Sequence, residues 1–599
     1  MMRDRAFTLE GPDRLLDRRG TLGRTSAAAA LAERIEAGER LLLAELPEAG
    51  GLSDDRARAR QLVENGISAV IVPEFAGNPE EAEADAALAP THQAAMLVEA
   101  GIPVISALSC RDRNRVALEG ELAALADVGV DGVLVTMGED GAGSAPVFDL
   151  DVVQLVALAA RAGHFVVVTD SPTAEVPRAE SIAQCADRLE QRVAAGADLV
   201  VVGPCSPEVF DRVVAALVER DIRVPLIPAP PLRPPIVRPA VRPIVRVDAH
   251  LTSRPRHHAC PKTMSYGPCG GVNRDGTCEI APVPCAFLGE TLPVVWPGDS
   301  VEVSARPVAT APTFAAQEIL SIMAKRPLVM TGFPVRPMLA DDVQRTADAL
   351  RDSTDAVLSG DAGRSRTQFP PAYRALLMAR AGMRVWMGTN TRDRNRTALE
   401  AELVSMREIG VAGVHCVTGD HTETGDRPDA RPVFDLESTP LIALAVRLGL
   451  LTSFAESPDA PPIDARGARV REKQRAGGWM CLTQYCGDAE DVEAFIARCR
   501  AAGSNVPVLP GVPLVVDREG AELLASFHAA TLPTGYVERL LAARDVRTEG
   551  IRLAISYGAS LLGVPGVGGV VVAGGSRPGD ELDYARALAE VAADLGGGS

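Results

Sequence analysis

Aromatic side chains are scarce: 3 Trp, 6 Tyr and 13 Phe among 599 residues. A basic surplus is absent too, since 61 Lys and Arg stand against 79 Asp and Glu for a net charge of -18. That excludes a general nucleic-acid binder, which needs a basic face to neutralise phosphates. No apolar run is long enough for a membrane span of roughly 20 residues. The longest, Leu561 to Gly575, is interrupted by Pro565 and several glycines and reads as a buried strand with its turns. The charged start, Met1 to Phe7, lacks the apolar stretch of a signal peptide. The expectation is a cytoplasmic enzyme that binds neither nucleic acid nor membrane. Hydrophobic residues make up 47% of the chain, enough for large cores, so global disorder is excluded as well.

What is present is a repeat. RDRNRVALEGELAALADVGVDGV from Arg111 and RDRNRTALEAELVSMREIGVAGV from Arg392 align without a gap, and PVFDL follows each, at Pro146 and Pro432. The offset grows from 281 (392 − 111) to 286 (432 − 146), so the second copy carries five extra residues in a loop after a strand. Such loops tolerate insertions and carry function.

In each copy, short Val/Ile/Leu runs alternate with helix-length segments, the pattern of buried parallel strands with crossover helices. Copy one predicts seven strands, at 41–46, 68–73, 103–108, 132–137, 165–169, 199–203 and 224–228. Copy two predicts eight, near 327–333, 355–359, 384–389, 413–418, 450–455, 480–484, 506–510 and 568–573. The fold class is therefore α/β, with two (β/α)8-type barrels in tandem, the first short of a strand. Between Arg115 and Gly129, Val116, Leu118, Leu122 and Leu125 form a one-sided helical stripe that the glycine closes.

The expected layout is an N-terminal segment 1–35, a degenerate barrel 36–232, a Pro-rich linker 233–252, a Cys-rich domain 253–300 and a second barrel 315–595. Proline as dense as that of 228–247 makes a semi-rigid connector, or in part a poor eighth strand.

Four of the 11 cysteines, Cys260, Cys269, Cys278 and Cys285, fall within 26 residues (285 − 260 + 1), spaced C-x8-C-x8-C-x6-C. This is not the C-x2-C pairing of zinc ribbons. The Gly-Pro-Cys-Gly-Gly turn at Cys269 can aim backbone N–H groups at sulfur, which suits zinc thiolates or an iron-sulfur cluster. Four thiolates would close the site and make it structural or electron-transferring.

CPKTMSYGPCGG with the later DGTCE and Cys285 resembles the small domain called the methylenetetrahydrofolate reductase C-terminal domain. The second copy resembles the flavin-dependent methylenetetrahydrofolate reductase family, through RDRNRTALEAEL, HCVTGD, RPVFDLES, CLTQYC, VPVLPGVPL and GIRLAISYGASLLGV in that family's order. The resemblance implies a barrel that binds FAD and folate at the carboxyl ends of its strands. It also implies hydride transfer from NAD(P)H to FAD and then to the folate methylene carbon, after an acid protonates the folate nitrogen.

Carried over position by position, Asp420 matches an aspartate near flavin and pterin, with Thr418 beside it on the cofactor side. Gln484 matches a pterin-binding glutamine, and Lys473 a lysine on the FAD diphosphate. Arg577 falls where an arginine follows the last strand, on the substrate side. The family's acid is a glutamate ending strand one. Glu45 takes that place in copy one, whereas Thr331 falls there in copy two, which implies altered chemistry. Glu139, Gly203 and Arg192 stand in copy one for Asp420, Gln484 and Lys473, and Ala107 and Gly388 replace a strand-three histidine. The favoured reading is a folate one-carbon flavoenzyme whose first copy is degenerate, either homo-oligomeric or served by an electron-transfer partner. The competing readings are a non-catalytic partner or scaffold of a reductase, and a folate-dependent one-carbon transferase.

Overall fold

The computed structural model describes residues 23–46, 52–74, 88–138, 144–172, 179–229, 260–288, 296, 311–334, 336, 338–360, 367–525, 531–575 and 577–598. The Pro-rich stretch, and with it the candidate eighth strand, lies outside them.

Copy one forms a parallel sheet in sequential order: β1 (Leu43–Glu45), β2 (Ala69–Val72), β3 (Val104–Ser109), β4 (Gly132–Thr136), β5 (Val166–Asp170), β6 (Leu199–Val202) and β7 (Leu226–Pro228). Among the described residues no ladder joins β7 to β1, so this is an open half-barrel. Copy two continues with β8 (Leu328–Gly332), β9 (Ala356–Ser359), β10 (Val385–Asn390), β11 (Gly413–Val417), β12 (Thr452–Glu456), β13 (Met480–Thr483), β14 (Val508–Leu509), β15 (Gly511–Leu514) and β16 (Gly569–Gly574). One edge of this sheet is β14, paired with β13, and the other is β15, paired with β16. These edges are one stretch of chain interrupted at Pro510, so the sheet closes on itself with eight strand positions. The interruption has a simple cause, since proline has no N–H for the ladder.

All predicted strand positions recur in the structure, and the predicted stripe is the helix Arg115–Val128, ended by Gly129 in the left-handed region at φ 82°. Period-two alternation sorts each strand into two faces. Leu328, Met330, Trp386, Met480, Leu482 and Val571 fill the lumen of the second barrel, while Val329, Val357, Val414, Phe454 and Cys481 pack against the outer helices. The helix Phe314–Met323 plugs the amino-terminal end of that lumen through Ile319, and Ser26–Glu36 does the same for the first sheet through Ala28 and Leu31.

The repeated motifs meet where the barrels join. Arg113 and Arg394 pair as an antiparallel backbone bridge. Around them Asn114 N donates to Asp393 O and Asn395 N to Asp112 O, each at 3.0 Å. The side chains repeat the exchange, Asn114 Nδ2 to Asp393 Oδ1 at 3.1 Å and Asn395 Nδ2 to Asp112 Oδ1 at 2.6 Å. Each asparagine also caps its own helix, accepting from Ala117 N at 3.1 Å or Ala398 N at 3.2 Å. PVFDL completes the pattern. Phe148 and Phe434 take positive φ, and Asp149 and Asp435 accept the first helical N–H, from Arg115 and Arg396. The loop with the five extra residues crosses to the other barrel, where Arg427 pairs with Glu119 and Asp429 meets Arg115 at 2.6 Å.

Asn395→Ala should therefore cost a helix cap and leave the buried Asp112 carboxylate short of a donor, together roughly 2–4 kcal/mol. Asn395→Asp keeps the cap but sets a second carboxylate against Asp112, and should cost at least as much. Denaturant midpoints of the two variants check this.

Candidate functional site

The carboxyl rim of the closed barrel is built from the last lumen-facing residue of each strand and the loop after it. Asp420, half-buried, lies just beyond β11, where Gly419 holds φ 88° and passes so close to Asn390 that a Cβ would stand 3.0 Å from that side chain. Gln484 is exposed at the end of β13, and its N–H donates to Glu456 O at 3.0 Å. Arg577, half-exposed after β16, pairs with Glu519 at 3.1 Å and Asp517 at 3.4 Å. Glu45 is exposed at the end of the edge strand β1, so the two residues assigned catalytic roles stand on different sheets.

Thr331 needs correction as the residue in the acid's place. It is fully buried on the helix-facing side of β8, with its hydroxyl 3.3 Å from that of Thr354. Strand alternation makes Gly332 the rim-facing residue, and aligning LLLAELP with LVMTGFP likewise sets Glu45 opposite Gly332. A Cβ at Gly332 would meet nothing closer than 3.6 Å, so the rim has room for a side chain there. Gly388 is the opposite case. Its Cβ would stand 2.8 Å from Gly360 Cα, which leaves no space for a histidine.

Thr418 faces the helices, and its hydroxyl accepts the Ser438 N–H at 3.1 Å. Lys473 faces them too. It is 5% exposed, and its ammonium donates to Ala455 O at 2.6 Å and Glu456 Oε2 at 3.0 Å. It shares one face of the helix Arg466–Arg475 with Arg466 and Arg469, at 0% and 1% exposure. Arg466 binds Glu456 at 2.9 Å, Ala460 O and Pro461 O at 2.7 Å, and Cys269 O at 3.1 Å. Arg469 donates to Tyr266 O and faces Glu437 at 3.8 Å. Burial alone would raise the Glu456 carboxyl, but Lys473, Arg466 and Arg469 outweigh it and hold it at about 2.

The Cys-rich segment is thus docked on this rim. Glu437 Oε1 accepts the N–H groups of Ser265 at 2.7 Å and Tyr266 at 3.1 Å, and Tyr266 packs edge-on against Trp296 with both rings buried. Gly270 lies against Ser457, whose Oγ would have to turn away from a Cβ placed 2.4 Å from it. Lys262, 5% exposed, pairs with Glu279. Burial would lower its ammonium, but the charges of Cys269, Glu279 and Asp420 prevail and push it up.

Cys260, Cys269, Cys278 and Cys285 line one cavity. Burial pushes the thiols of Cys260 and Cys285 up, while backbone N–H groups of Lys262 and Met264 on the first, and of Phe287 on the second, oppose it. Burial outweighs these N–H groups, so both sulfurs are held above the ordinary thiol value in the absence of a metal's charge. Among the described residues, no three His, Cys, Asp or Glu side chains are arranged to hold an ion.

Residues 336–566, less than half of the chain, match the methylenetetrahydrofolate reductase family, and residues 254–291 match the family described as methylene-tetrahydrofolate reductase C terminal. The second barrel is a methylenetetrahydrofolate reductase family domain. Its match begins after β8, the strand that ends in Gly332. No curated protein matches the chain. Among solved structures, an uncharacterized protein from Clostridium thermocellum, described as binding two copies of 5-methyl-5,6,7,8-tetrahydrofolic acid, is 14% identical. It aligns over 46% of this chain and 98% of its own at a TM-score of 0.36. A 2,3-dimethylmalate lyase of the PEP mutase/isocitrate lyase superfamily is 17% identical over 34% of this chain and 79% of its own, with a TM-score of 0.25. Likenesses this distant carry no functional information.

For the reductase-family barrel, the donor set does not fit an FAD diphosphate. Lys473 is buried against Glu456 instead of facing the rim, and the Thr418 hydroxyl is committed to a helix end. Sequence reasoning missed Glu437, Glu456, Arg466 and Arg469. The spacing Arg466-x2-Arg469-x3-Lys473, after a strand that ends in glutamate, was the available signal.

Removing the Glu456 charge in Glu456→Gln should destabilise the barrel by roughly 3–5 kcal/mol, because the buried Arg466 and Lys473 lose the anion they share. The folded carboxyl sits at about 2, below its ordinary value of 4.5. Its stabilisation is therefore present above pH 4.5 and lost as pH falls towards 2. Denaturation across that window should show a steeper acid loss in the parent chain than in Glu456→Gln.

Proposed function

We propose that the reductase-family barrel binds a reduced folate at its carboxyl rim and acts in one-carbon metabolism as a divergent relative of the reductases. The observation that supports this most is the placement of Asp420 and Gln484 at the ends of β11 and β13, on the rim of a barrel whose family handles methylenetetrahydrofolate. An amide that both donates and accepts suits a pterin edge, and a carboxylate suits its N–H groups. The four cysteines would hold a zinc ion or an iron-sulfur cluster that rigidifies the docked segment.

The FAD-dependent reduction that the resemblance implies is not carried into this reading, because neither the acid nor the diphosphate contact is in place. FAD would supply a hydride at the folate carbon; this chain's residues would bind the folate and orient it. Gly332 leaves β8 without a carboxyl to protonate the folate nitrogen. That same glycine favours the second reading, a folate-binding partner of a separate reductase.

Calorimetric titration with 5-methyltetrahydrofolate should give saturable binding, weakened roughly tenfold by Asp420→Ala and by Gln484→Ala. A flat titration would sink the folate reading. If the acid is what turnover lacks, Gly332→Glu should raise reduction of 5,10-methylenetetrahydrofolate, with free reduced flavin as hydride donor, by on the order of 100-fold or more. An unchanged rate in a variant that still binds folate would favour the non-catalytic partner. Cys269→Ser should lose the bound metal of the purified chain, and an unaltered metal content would count against the four-cysteine site.

A further inference from the structure

We infer that Ser265–Gly270 of the Cys-rich segment is the permanent occupant of the cation face that an anionic cofactor would need, so that the barrel takes its folate without a resident FAD. This rests on the folate reading above.

The face holds three cations at helical spacing, Arg466, Arg469 and Lys473, all less than 6% exposed. An anion site needs such donors free and aimed at a vacancy. Here they are saturated from inside the protein. Arg466 serves Glu456 and the carbonyls of Cys269, Ala460 and Pro461; Arg469 serves Tyr266 O and Glu437; Lys473 serves Glu456 and Ala455 O. The carbonyls of Tyr266 and Cys269 thus take positions that phosphate oxygens would otherwise claim.

The segment is fastened from both sides. Its own N–H groups at Ser265 and Tyr266 are held by Glu437 Oε1, and Gly270 packs closely against Ser457. Trp296, 5% exposed, donates its backbone N–H to Glu472 Oε2 at 2.5 Å on the same helix and packs on Tyr266. A diphosphate entering here would have to evict these carbonyls, unpair Lys473 from Glu456 and sit beside two buried carboxylates. Breaking a single buried pair of that kind is expected to weaken binding by roughly a hundredfold to a thousandfold.

The test uses the purified full chain. Its visible spectrum should lack the flavin band near about 450 nm. Titration with FAD, followed by flavin fluorescence, should show no saturable binding up to about 100 μM, far above the dissociation constant of a resident cofactor. Hydrogen exchange should find the amides of Ser265 and Tyr266 protected to the same degree with and without FAD. Micromolar FAD binding overturns the inference, whether or not Lys473→Ala weakens it; a tenfold loss in that variant would place the diphosphate on this face. A parallel titration with 5-methyltetrahydrofolate separates the two claims. Failure there sinks the folate reading, while the FAD titration alone decides who occupies the cation face.

Discussion

The carboxylate of Glu456 has no route to water, and much of the second barrel's rim follows from how it is satisfied. It ends β12 on the helix-facing side, 3% exposed, where an unpaired charge would be prohibitively costly. Arg466 and Lys473, seven residues apart on the next helix, meet it at 2.9 and 3.0 Å and so fix that helix against the strand. Arg466 then has donors to spare, and they reach Cys269 O in the Cys-rich segment. One buried anion thereby ties strand, helix and cysteine loop together. The same commitments remove Arg466, Arg469 and Lys473 from the pool available to any ligand, whereas Asp420, Gln484 and the half-exposed Arg577 remain on the rim.

The repeated sequence has a structural reason of its own. RDRN and PVFDL stand identical in both copies, and both turn up in the junction between the barrels, paired about an approximate twofold axis. Asp112, Asn114, Asp393 and Asn395 exchange backbone and side-chain hydrogen bonds across it. Buried polar exchanges of this sort tolerate little change, because each lost partner leaves another group unsatisfied. Positions free of that duty differ between the copies: Glu45 against Gly332, and Ala107 against Gly388.

Most of the fold was legible in the sequence because buried parallel strands announce themselves as Val/Ile/Leu runs, and all fifteen predicted strand positions are found. The break at Pro510 was legible in principle, as proline cannot serve the ladder. The candidate site was less so. The order of motifs pointed to Asp420 and Gln484, which do lie at strand ends. A one-residue slip assigned the acid's place to Thr331, and in a strand one residue exchanges lumen for helix face. Lys473 was found as a cation; its partner Glu456 lies only 17 residues before it, but the arrival of Cys269 at Arg466 and of Tyr266 at Arg469 depends on contacts 197 and 203 residues apart, which no local pattern encodes.

The openness of the first sheet fits the same division of labour. A sheet with two edges is a liability unless something else holds it. The first copy is held at the β2–β3 sector, where Ala95 and Ala124 pack against Phe369, Tyr373 and Leu376 of its neighbour and Tyr373 donates to Asp127 at 2.5 Å. The edge β1 is the neighbour of β2 in this sheet, and the other edge, β7, stands at its far end. The RDRN corner could not be lost without unpairing both barrels. Glu74, buried beside Arg113 and pushed up to about 7 by burial against that arginine's pull, belongs to this corner rather than to an open mouth. The first copy therefore makes best physical sense as the structural partner that completes the junction, leaving the rim of the second free to diverge.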